Sequence, residues 1–536
     1  MKIVEQLTQK QKMTVLAALM VAMFFAAINQ TIVSSALPRI IAELGGMKHY
    51  SWVLTVFMLS STIATILSGK LSDIYGRKPF LLFGIVVFMT GTFLTGLSND
   101  IYQMITFRGV QGVGAGILMS TTITAVGDLF APRERAKWTG LMMSIFGLSS
   151  ILGPTLGGFM VDHMEWKWLF WAFLPLGVVA FVMILLMFPK VVSVVSESID
   201  YWGSLVLSLS IVTLLLGFSW AGTKYPWGSS EIIGLFAATV IGIIIFILIE
   251  RKAKSPVLPL SLFKNGIVNI SNAVSFLMNA GMLGAMIYIP FYVQGVEGLT
   301  PTQSGFVNIP MSISMILLST IAGRFISKTG SYKIYAVAGI VLMIVSMIML
   351  ANMSSVGLAV ASMTVFGIGL GLSMPVFTLT VQNAVPSSQL GVVTASSTLF
   401  RNLGGTIGIA ILGSVMNSSM TSNLKKTMAS DSGVDFSKLD KNTTDQFMSM
   451  LNPQILLDQP KLKELQMSLP EEVLPTFTTM IDTLRSVLAT TLSNVFYIGA
   501  GLLIVALVIT FFLKEIPLRT SEKSIAMDKG KEIVTP

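Results

Sequence analysis

Two arginines and an asparagine interrupt long apolar stretches of this chain. Arg108 and Arg401 each lie inside a run of otherwise uncharged residues, and Asn29 lies inside a third run. A charge in apolar surroundings is costly and normally faces a cavity or a partner, so both arginines are candidate binding residues. The alternative for either arginine is a purely structural role, in which carbonyl groups and, for Arg108, the nearby Gln111 satisfy the guanidinium.

The side chains that catalysis needs are absent from the same runs. The chain has no cysteine, which excludes disulfides, thiolate metal sites and a cysteine nucleophile. Its two histidines, His49 and His163, lie at the ends of runs, and no Asp or Glu lies near the middle of one. A phosphate-binding loop of the G-x-x-x-x-G-K-[ST] type is missing as well. We therefore predict no catalytic residue, no metal site and no cofactor, and we predict that the protein is not an enzyme.

The bulk composition indicates a membrane protein. Of 536 residues, 53% are hydrophobic and only 11% are charged, and the mean hydropathy is +0.78. A run of about 20 apolar residues spans the hydrocarbon core as a helix, and lipid offers no partners to the backbone of an open strand. The predicted fold class is therefore an all-α polytopic membrane protein.

We predict fourteen transmembrane helices from the apolar runs. The first, from about Val15 to Leu37, is too long for the core of a signal peptide, so we expect it to be retained. The predicted spans are 14–38, 51–69, 79–98, 101–126, 138–161, 166–188, 201–221, 231–249, 266–294, 303–323, 334–352, 356–382, 390–418 and 487–513.

The basic residues predict the orientation. The net charge of +9 could indicate nucleic-acid binding, but the Lys and Arg residues concentrate in alternate loops, which is the pattern of membrane topology. The predicted outer short loops contain only four of them, namely Arg39, Lys48, Lys167 and Lys224. We expect no nucleic-acid partner, and we expect both termini to lie in the cytoplasm.

A tight basic turn and its weak repeat indicate two related halves. The segment Gly69–Pro79 reads G-K-L-S-D-I-Y-G-R-K-P, and Gly323–Lys333 keeps both glycines and the basic character. Two related halves with a site between them are a common transporter plan. We predict a six-helix bundle over residues 1–190, two inserted helices over 191–262, a second six-helix bundle over 263–513 that includes an outer loop at 419–485, and a cytoplasmic tail at 514–536.

Several motifs together resemble one known family. They are I-N-Q-T-I-V-S-S-A-L-P at 28–38, W-V-L-T-V-F-M-L at 52–59, R-G-V-Q-G at 108–112, G-P-T-L-G-G at 153–158 and W-K-W-L-F at 166–170. With the basic turn, this pattern covers nearly the whole chain and is similar to the fourteen-helix drug–proton antiporter branch of the major facilitator superfamily. The resemblance implies the major facilitator fold, with two six-helix bundles and two inserted helices.

The resemblance also implies a set of gating residues. Asp73 would contact the opposite half and hold the inner gate shut, with Arg77 as a gate partner or as a simple cytoplasmic anchor. Gly76 permits a short loop to reverse between two helices. The remaining predicted gating residues are Gly69 in the same turn and Gly153, Pro154 and Gly157 of the antiporter motif in the fifth helix.

The candidate substrate and coupling residues depart from the family at one position. An acidic residue commonly occupies the place of Asn29, whereas an amide cannot titrate. This difference lowers the expectation of proton coupling at that site, and the two arginines leave the presumed cavity positive, which disfavours cationic substrates. The predicted set is Asn29, Arg108, Gln111, Arg401, Tyr292 and Gln294.

These features predict a secondary multidrug exporter of lipophilic or amphiphilic compounds. It would work by alternating access, with proton antiport, as a monomer in the bacterial cell membrane and in contact with membrane lipids. The alternative is an exporter or flippase of a lipid or another endogenous amphiphile, with different or no proton coupling at the first helix. Asn29, the positive cavity and the long outer loop are compatible with that alternative.

Overall fold

The computed structural model describes residues 8–44, 50–189, 200–222, 224–253, 255–299, 301–386, 389–429, 456, 462, 464, 466–467 and 474–518. These residues form helices joined by short turns. The α-helices are α1 (Gln9–Leu44), α2 (Tyr50–Tyr75), α3 (Arg77–Gly96), α4 (Ile101–Leu129), α5 (Pro132–His163), α6 (Trp168–Trp171), α7 (Leu174–Met187), α8 (Tyr201–Trp220), α9 (Ser230–Glu250), α10 (Gly266–Pro290), α11 (Pro301–Thr329), α12 (Lys333–Ala351), α13 (Val356–Asn383), α14 (Leu390–Ala429) and α15 (Leu474–Phe511). A 3₁₀ helix (Leu260–Lys264) precedes α10, and a π-helix (Phe291–Val296) continues it.

Fourteen helices of the described chain are long and apolar enough to cross a membrane, which confirms the predicted all-α polytopic fold and the number of spans. The sixth span consists of two helices, α6 and α7, because Pro175 stands at the start of α7. Proline has no N–H to donate and fits the first turn of a helix. The residues between α6 and α7 therefore form a turn within a single apolar run.

The first seven helices pack into one bundle, which we call the N-terminal half. Helix α4 packs closely on α2 and α3, and α1 packs on α5 and α7. The approach of α4 to α2 depends on Gly112 and Gly116, since a Cβ added to either would collide with the backbone of Phe57 or Ser61. This is the role expected of a G-x-x-x-G spacing in a membrane helix.

Helices α10–α15 form a second bundle, which we call the C-terminal half. Helix α13 packs on α11 and α12, and α10 packs on α14 and α15. Two further G-x-x-x-G pairs make close contacts in this half, with Gly367 and Gly371 against α11 and Gly404 and Gly408 against α10. The same small-residue packing therefore builds both halves.

Helices α8 and α9 pack mainly on each other and touch α2 and α14 through α8. Glu250, the last residue of α9, accepts a 2.6 Å hydrogen bond from the N–H of Leu258 in the segment that follows the helix. Asp200 caps α8 by accepting from the N–H of Gly203 at 2.8 Å. The predicted boundary at residue 190 lies outside the described residues and the one at 262 falls within the 3₁₀ helix; the division into domains stays a prediction.

The two halves meet along two helix pairs, α2 with α14 and α5 with α11. A Cβ added to Gly69 would lie 2.5 Å from the Cβ of Ala395, and one added to Gly323 would collide with the carbonyl oxygen of Ala136. Both contacts lie near the end of the bundle that contains Asp73. We call this end the Asp73 side and the other end the opposite side.

The long polar segment predicted as a loop over 419–485 is shorter than expected. Helix α14 continues to Ala429 and α15 begins at Leu474. The prediction was wrong at both margins because hydropathy marks only the part of a helix that lies in lipid. Threonines in the first turns of α15 bond the carbonyl four residues earlier, as Thr478 does to Leu474 at 2.9 Å. Most of 430–473, including most of the amphipathic stretch predicted near 459–467, lies outside the described residues.

The chain after α15 returns to the C-terminal half and caps a helix there. Glu515 accepts hydrogen bonds from the N–H groups of Tyr332 and Lys333 at 2.6 and 3.2 Å, at the start of α12. A carboxylate at a helix N-terminus satisfies free N–H groups and is favoured by the helix dipole. Of the predicted tail, residues 519–536 lie outside the described part of the chain.

Candidate functional site

Arg108 lies fully enclosed in the N-terminal half. Among the described residues it is the largest side chain with no exposed surface. Its Nη1 donates to Gln111 Oε1 at 2.7 Å, and its guanidinium carbon lies 4.2 Å from the centre of the Phe57 ring. Because Arg108 and Gln111 are three residues apart, they occupy the same face of α4. The enclosed charge is thus held by an amide and an aromatic face.

A chain of hydrogen bonds leads from Arg108 to the next helix. Gln111 Nε2 donates to Thr92 Oγ1 at 2.8 Å, and Thr92 donates to the carbonyl of Phe88 at 2.7 Å. The α-carbon of Gly91 lies against the backbone of Gln111, which brings α3 within reach. In the described part of the chain, Arg108 forms no ion pair with an acidic residue, and its Nε is buried without an acceptor.

Asn29 lies in the same half and is also completely buried. Its Nδ2 donates to the carbonyl of Phe25 at 2.9 Å, one turn earlier in α1, while its Oδ1 has no hydrogen-bond partner among the described residues. The Phe25 ring contacts the ring of Phe88 edge-on, with centroids 4.9 Å apart. The hydrogen bond of Asn29 ends at Phe25, and the chain of hydrogen bonds from Arg108 ends at Phe88. Both therefore end at residues whose rings are in contact between α1 and α3.

A cleft lies in the other half, between α10, α13 and α14. Its empty volume, counted together with the open solvent at its mouth, is about 370 Å³. Five of its ten lining residues are apolar and five are polar, and the predicted residue Arg401 is among the polar ones. The apolar lining residues are Met278, Met282, Leu370, Met374 and Phe377, and the polar ones are Ser275, Asn279, Thr378, Ser397 and Arg401.

Arg401 differs from Arg108 in its surroundings. Its side chain is half-buried and lines the cleft. The backbone carbonyl of Arg401 accepts a 2.7 Å hydrogen bond from Asn279 Nδ2, which joins α14 to α10 at the wall of the cleft. In the described part of the chain no acidic side chain pairs with its guanidinium. The structure therefore places the two predicted arginines in different halves, one enclosed and one lining open space.

Tyr292 and Gln294, the other two predicted binding residues, lie in the π-helix that follows α10. The hydroxyl of Tyr292 donates to Glu297 Oε1 at 2.9 Å. Neither residue is among those that line the cleft; α10 contributes Ser275, Met278, Asn279 and Met282 instead. The structure thus does not bring Tyr292 and Gln294 together with Arg401.

The predicted gating residues of the basic turn come together at the Asp73 side. A Cβ added to Gly391, the second residue of α14, would lie 2.5 Å from Asp73 Oδ2 and 2.5 Å from the carbonyl oxygen of Gly69. The Asp73 carboxylate therefore lies at the N-terminal turn of α14, where the helix dipole favours negative charge. Asp73 and Gly69 contact the C-terminal half directly.

Arg77 is buried and joins three side chains on this side. It pairs with Asp73 in the same turn, and its Nε donates to Asp128 Oδ2 at 2.8 Å. Its Nη1 donates to Ser72 Oγ at 2.5 Å. Asp128 was not among the predicted residues, although an acidic residue near the end of a helix on an otherwise basic side is a signal that the sequence offers.

The repeat detected in the sequence is visible in the backbone. Gly76 and Gly330 both have a positive φ, 88° and 77°, a conformation that residues with a Cβ rarely adopt. The preceding glycines of the repeat, Gly69 and Gly323, both pack against a helix of the other half. In both copies of the repeat, the first glycine therefore packs against the opposite half and the second permits the turn.

The antiporter motif lies in α5, facing α1. The α-carbon of Gly153 packs against Thr31, and Thr31 Oγ1 donates to the carbonyl of Ser149 at 2.9 Å. Gly157 is buried in the same helix, and α5 runs without interruption through Pro154. The contacts of Thr31 with Gly153 and Ser149 therefore join α5 to α1, the helix that also contains Asn29.

A family comparison decides what kind of protein has this architecture. Residues 19–409 match the family model described as Major Facilitator Superfamily. The chain belongs to the major facilitator superfamily. This result confirms the family resemblance, and it confirms the prediction that the protein is a transporter and not an enzyme.

Individual major facilitator proteins match over long stretches. Multidrug transporter protein MdtP of Bacillus subtilis (strain 168) is 36% identical over 546 residues, covering 99% of this chain and 98% of that protein. Multidrug resistance protein 3 of the same organism is 32% identical over 432 residues, covering 80% of this chain and 84% of that protein. The solved proton:xylose symporter XylE superposes with a TM-score of 0.61 at 12% identity, covering 97% of this chain and 100% of that one. The first two matches place the chain in the multidrug branch of the superfamily, and the third shows a shared fold.

Proposed function

We propose that this major facilitator protein is a secondary exporter of lipophilic and amphiphilic compounds. It resides in the bacterial cell membrane as a monomer, with both termini and the Asp73 side in the cytoplasm. The names of the relatives, a multidrug transporter and a multidrug resistance protein, support this proposal. The short loops on the Asp73 side are basic, which supports the orientation.

One observation carries the proposal: the two halves touch on the Asp73 side through paired glycines, while a half-apolar cleft lies between helices of the C-terminal half. Gly69 of α2 packs on α14, and Gly323 of α11 packs on α5. Contacts of this kind can separate and re-form as rigid halves rock about a central site, which is how alternating access works. A cleft lined by three methionines and a phenylalanine is suited to apolar bodies of varied shape.

We further propose that export is driven by proton antiport, although the first helix lacks a titratable group at Asn29. Asp73 lies at the contact between the halves, and both Asp73 and Asp128 are joined to Arg77. When the halves part, the Asp73 carboxylate loses its contact with the N-terminal turn of α14 and can bind a proton more readily, which would link the proton to gate opening.

The second candidate is export of a lipid or another endogenous amphiphile. It is favoured by the buried amide of Asn29, which cannot carry a proton, and by the positive charge of Arg401 in the cleft. Such a transporter would use the same movement of the two halves. Its substrates would be membrane constituents instead of foreign compounds, with membrane lipids as partners.

Everted membrane vesicles test the proposal directly, because an exporter in them accumulates substrate. The vesicles come from a host that lacks its own exporters, and they are energised by respiration. A panel of neutral lipophilic fluorophores is offered with and without an ionophore that dissipates the proton gradient. We expect uptake that requires the protein and falls at least fivefold with the ionophore.

The Asp73→Asn variant serves as the inactive reference, provided that it reaches the membrane in equal amount. Uptake that is independent of the protein would overturn export of such compounds. Uptake that needs the protein but ignores the ionophore would overturn proton antiport alone. Transfer of a labelled phospholipid between leaflets, without fluorophore uptake, would establish the second candidate.

A further inference from the structure

We propose that the preferred substrates are amphiphiles with an anionic head, such as a carboxylate or sulfonate, which binds Arg401 in the cleft. This inference rests on the proposed export function and specifies its substrate class. It is supported by the charge of the cleft, by the fixed backbone position of Arg401 and by the contrast with Arg77 and Arg108.

Arg401 presents an uncompensated positive charge to open space. None of the cleft-lining residues in the described part of the chain is acidic, and no acidic side chain pairs with the guanidinium. Arg77, by comparison, is paired with both Asp73 and Asp128. A charge held in low-dielectric surroundings without a counter-charge attracts an anion and repels a cation.

The backbone around Arg401 is fixed in a manner that suits a binding residue. Asn279 Nδ2 donates to the carbonyl of Arg401 at 2.7 Å. Three residues later, Gly404 packs directly on the backbone of Phe276 in α10. Because α10 and α14 are held this closely, the base of the side chain is placed before a ligand arrives. A planar guanidinium can then make two parallel hydrogen bonds to a carboxylate or sulfonate.

The rest of the cleft lining is chemically suited to the apolar body of such a molecule. Its apolar lining residues include Met278, Met282, Met374 and Phe377. Methionine side chains adapt to bodies of different shape, whereas the charged head has a single cationic partner. The cleft therefore discriminates between substrates by the charge of the head group and accepts apolar bodies of different shape.

Arg108 does not compete for this role in the described state. Its side chain has no exposed surface, lies over the Phe57 ring and donates to Gln111. A ligand could reach it only after the N-terminal half rearranged. The anionic head is therefore bound by one half of the transporter, through Arg401.

Three probes that share one apolar body separate charge from hydrophobicity. They are 1-pyrenebutyrate, 1-pyrenebutanol and 1-pyrenebutyltrimethylammonium. Binding is measured by fluorescence to the full-length protein in nanodiscs of zwitterionic lipid, and uptake is measured in everted vesicles. The variants are Arg401→Ala, Arg401→Gln and Arg401→Lys, with Arg485→Ala as the matched control, since Arg485 lies on α15 away from the cleft and next to Asp482.

We expect the unmodified protein to bind the butyrate at least tenfold more tightly than the ammonium probe. Arg401→Ala and Arg401→Gln should weaken butyrate binding at least tenfold and change butanol binding less than twofold, so that butanol reports an intact cleft. Arg401→Lys should be intermediate, because lysine retains the charge but not the planar fork. Arg485→Ala should match the unmodified protein.

Two results would overturn the inference: equal or tighter binding of the ammonium probe, or an anion preference that survives Arg401→Ala. Uptake of the butanol but not of the butyrate would also overturn it while leaving the proposed export function intact. Binding of butyrate that depends on Arg401, without uptake of any probe, would support the binding site and contradict the export function.

Discussion

The carboxylate of Asp73 lies against the α-carbon of Gly391, at the N-terminal turn of α14. A Cβ at position 391 would lie 2.5 and 2.6 Å from the two carboxylate oxygens. The contact joins the end of α2 in one half to the start of α14 in the other. This contact therefore forms when the Asp73 side closes and breaks when it opens.

The first prediction concerns Gly391→Ala. The added methyl group would overlap Asp73 and the carbonyl oxygen of Gly69, 2.5 Å away, so α2 and α14 must separate. We expect the equilibrium to shift towards a state that is open on the Asp73 side and the initial transport rate to fall at least fivefold. Because the chain has no native cysteine, labelling of a single cysteine at Ser68, which is fully buried, reports the opening.

The matched control is Gly501→Ala on α15, where a Cβ meets nothing within 4 Å. It should leave both the transport rate and the labelling of position 68 unchanged. If Gly391→Ala behaves like this control, contact between α2 and α14 does not limit transport.

The second prediction separates the two carboxylates on Arg77. Asp128 pairs with Arg77 within the N-terminal half, whereas Asp73 also contacts the C-terminal half. Asp128→Asn should lower the free energy of unfolding by about 1 kcal/mol, because the pair is partly exposed, and leave most transport intact. Asp73→Asn should reduce transport at least tenfold while the protein remains folded in the membrane.

Both quantities are measurable on the same preparations, by thermal unfolding in detergent and by initial rates in vesicles. Transport that is unchanged in Asp73→Asn would remove Asp73 from the gate. Equal loss of transport in both variants would instead mean that transport depends on the ion pairs of Arg77 and not on the contact of Asp73 with Gly391.

The fold could be read from the sequence because lipid leaves few choices to an apolar run. Spans such as 101–126, observed as Ile101–Leu129, were predicted to within a few residues. The errors occur where helices leave the lipid, as in α15, which begins thirteen residues before the predicted start at 487. Hydropathy carries no information about a polar helix in water, whose stability depends on local hydrogen bonds.

The candidate site was predicted less completely, and the rotation of α10 shows why. Asn279 lines the cleft and Tyr292 does not, although both are polar residues in one span. Thirteen residues correspond to about 3.6 turns of an α-helix, so the two side chains would leave the helix about 140° apart. A sequence cannot say which face of a uniformly apolar helix points inward. Pairs within one turn, such as Arg108 and Gln111, were predictable because their spacing alone puts them on one face.

The third prediction concerns Gln111→Leu. The substitution removes the 2.7 Å hydrogen bond to Arg108 and the 2.8 Å bond to Thr92 in a fully buried position. Loss of a hydrogen bond to an enclosed charge should lower the free energy of unfolding by about 2 kcal/mol. Gln103→Leu, at an exposed position of the same helix, should change it by less than about 0.5 kcal/mol.

Thermal unfolding of the purified variants in one detergent provides this comparison. Equal midpoints for Gln111→Leu and Gln103→Leu would show that the hydrogen-bond chain from Arg108 to Phe88 contributes little to stability. Arg108 would then be stabilised chiefly by its contact with the Phe57 ring, which is 4.2 Å away.

The last prediction concerns Asn29→Asp. A protonated carboxyl group can donate to the Phe25 carbonyl as the Asn29 amide does at 2.9 Å, whereas a carboxylate cannot. In this fully buried position the neutral acid is therefore favoured, and loss of the proton requires access to water. Each opening of the halves would then couple to proton release or uptake at α1.

We expect Asn29→Asp to make vesicle uptake at least threefold more dependent on the proton gradient. We also expect this variant to unfold at a lower temperature at pH 8 than at pH 5. Asn352→Asp, at an exposed position on the opposite side, is the control and should show neither change. Identical gradient dependence in Asn29→Asp and the unmodified protein would mean that coupling does not pass through the first helix.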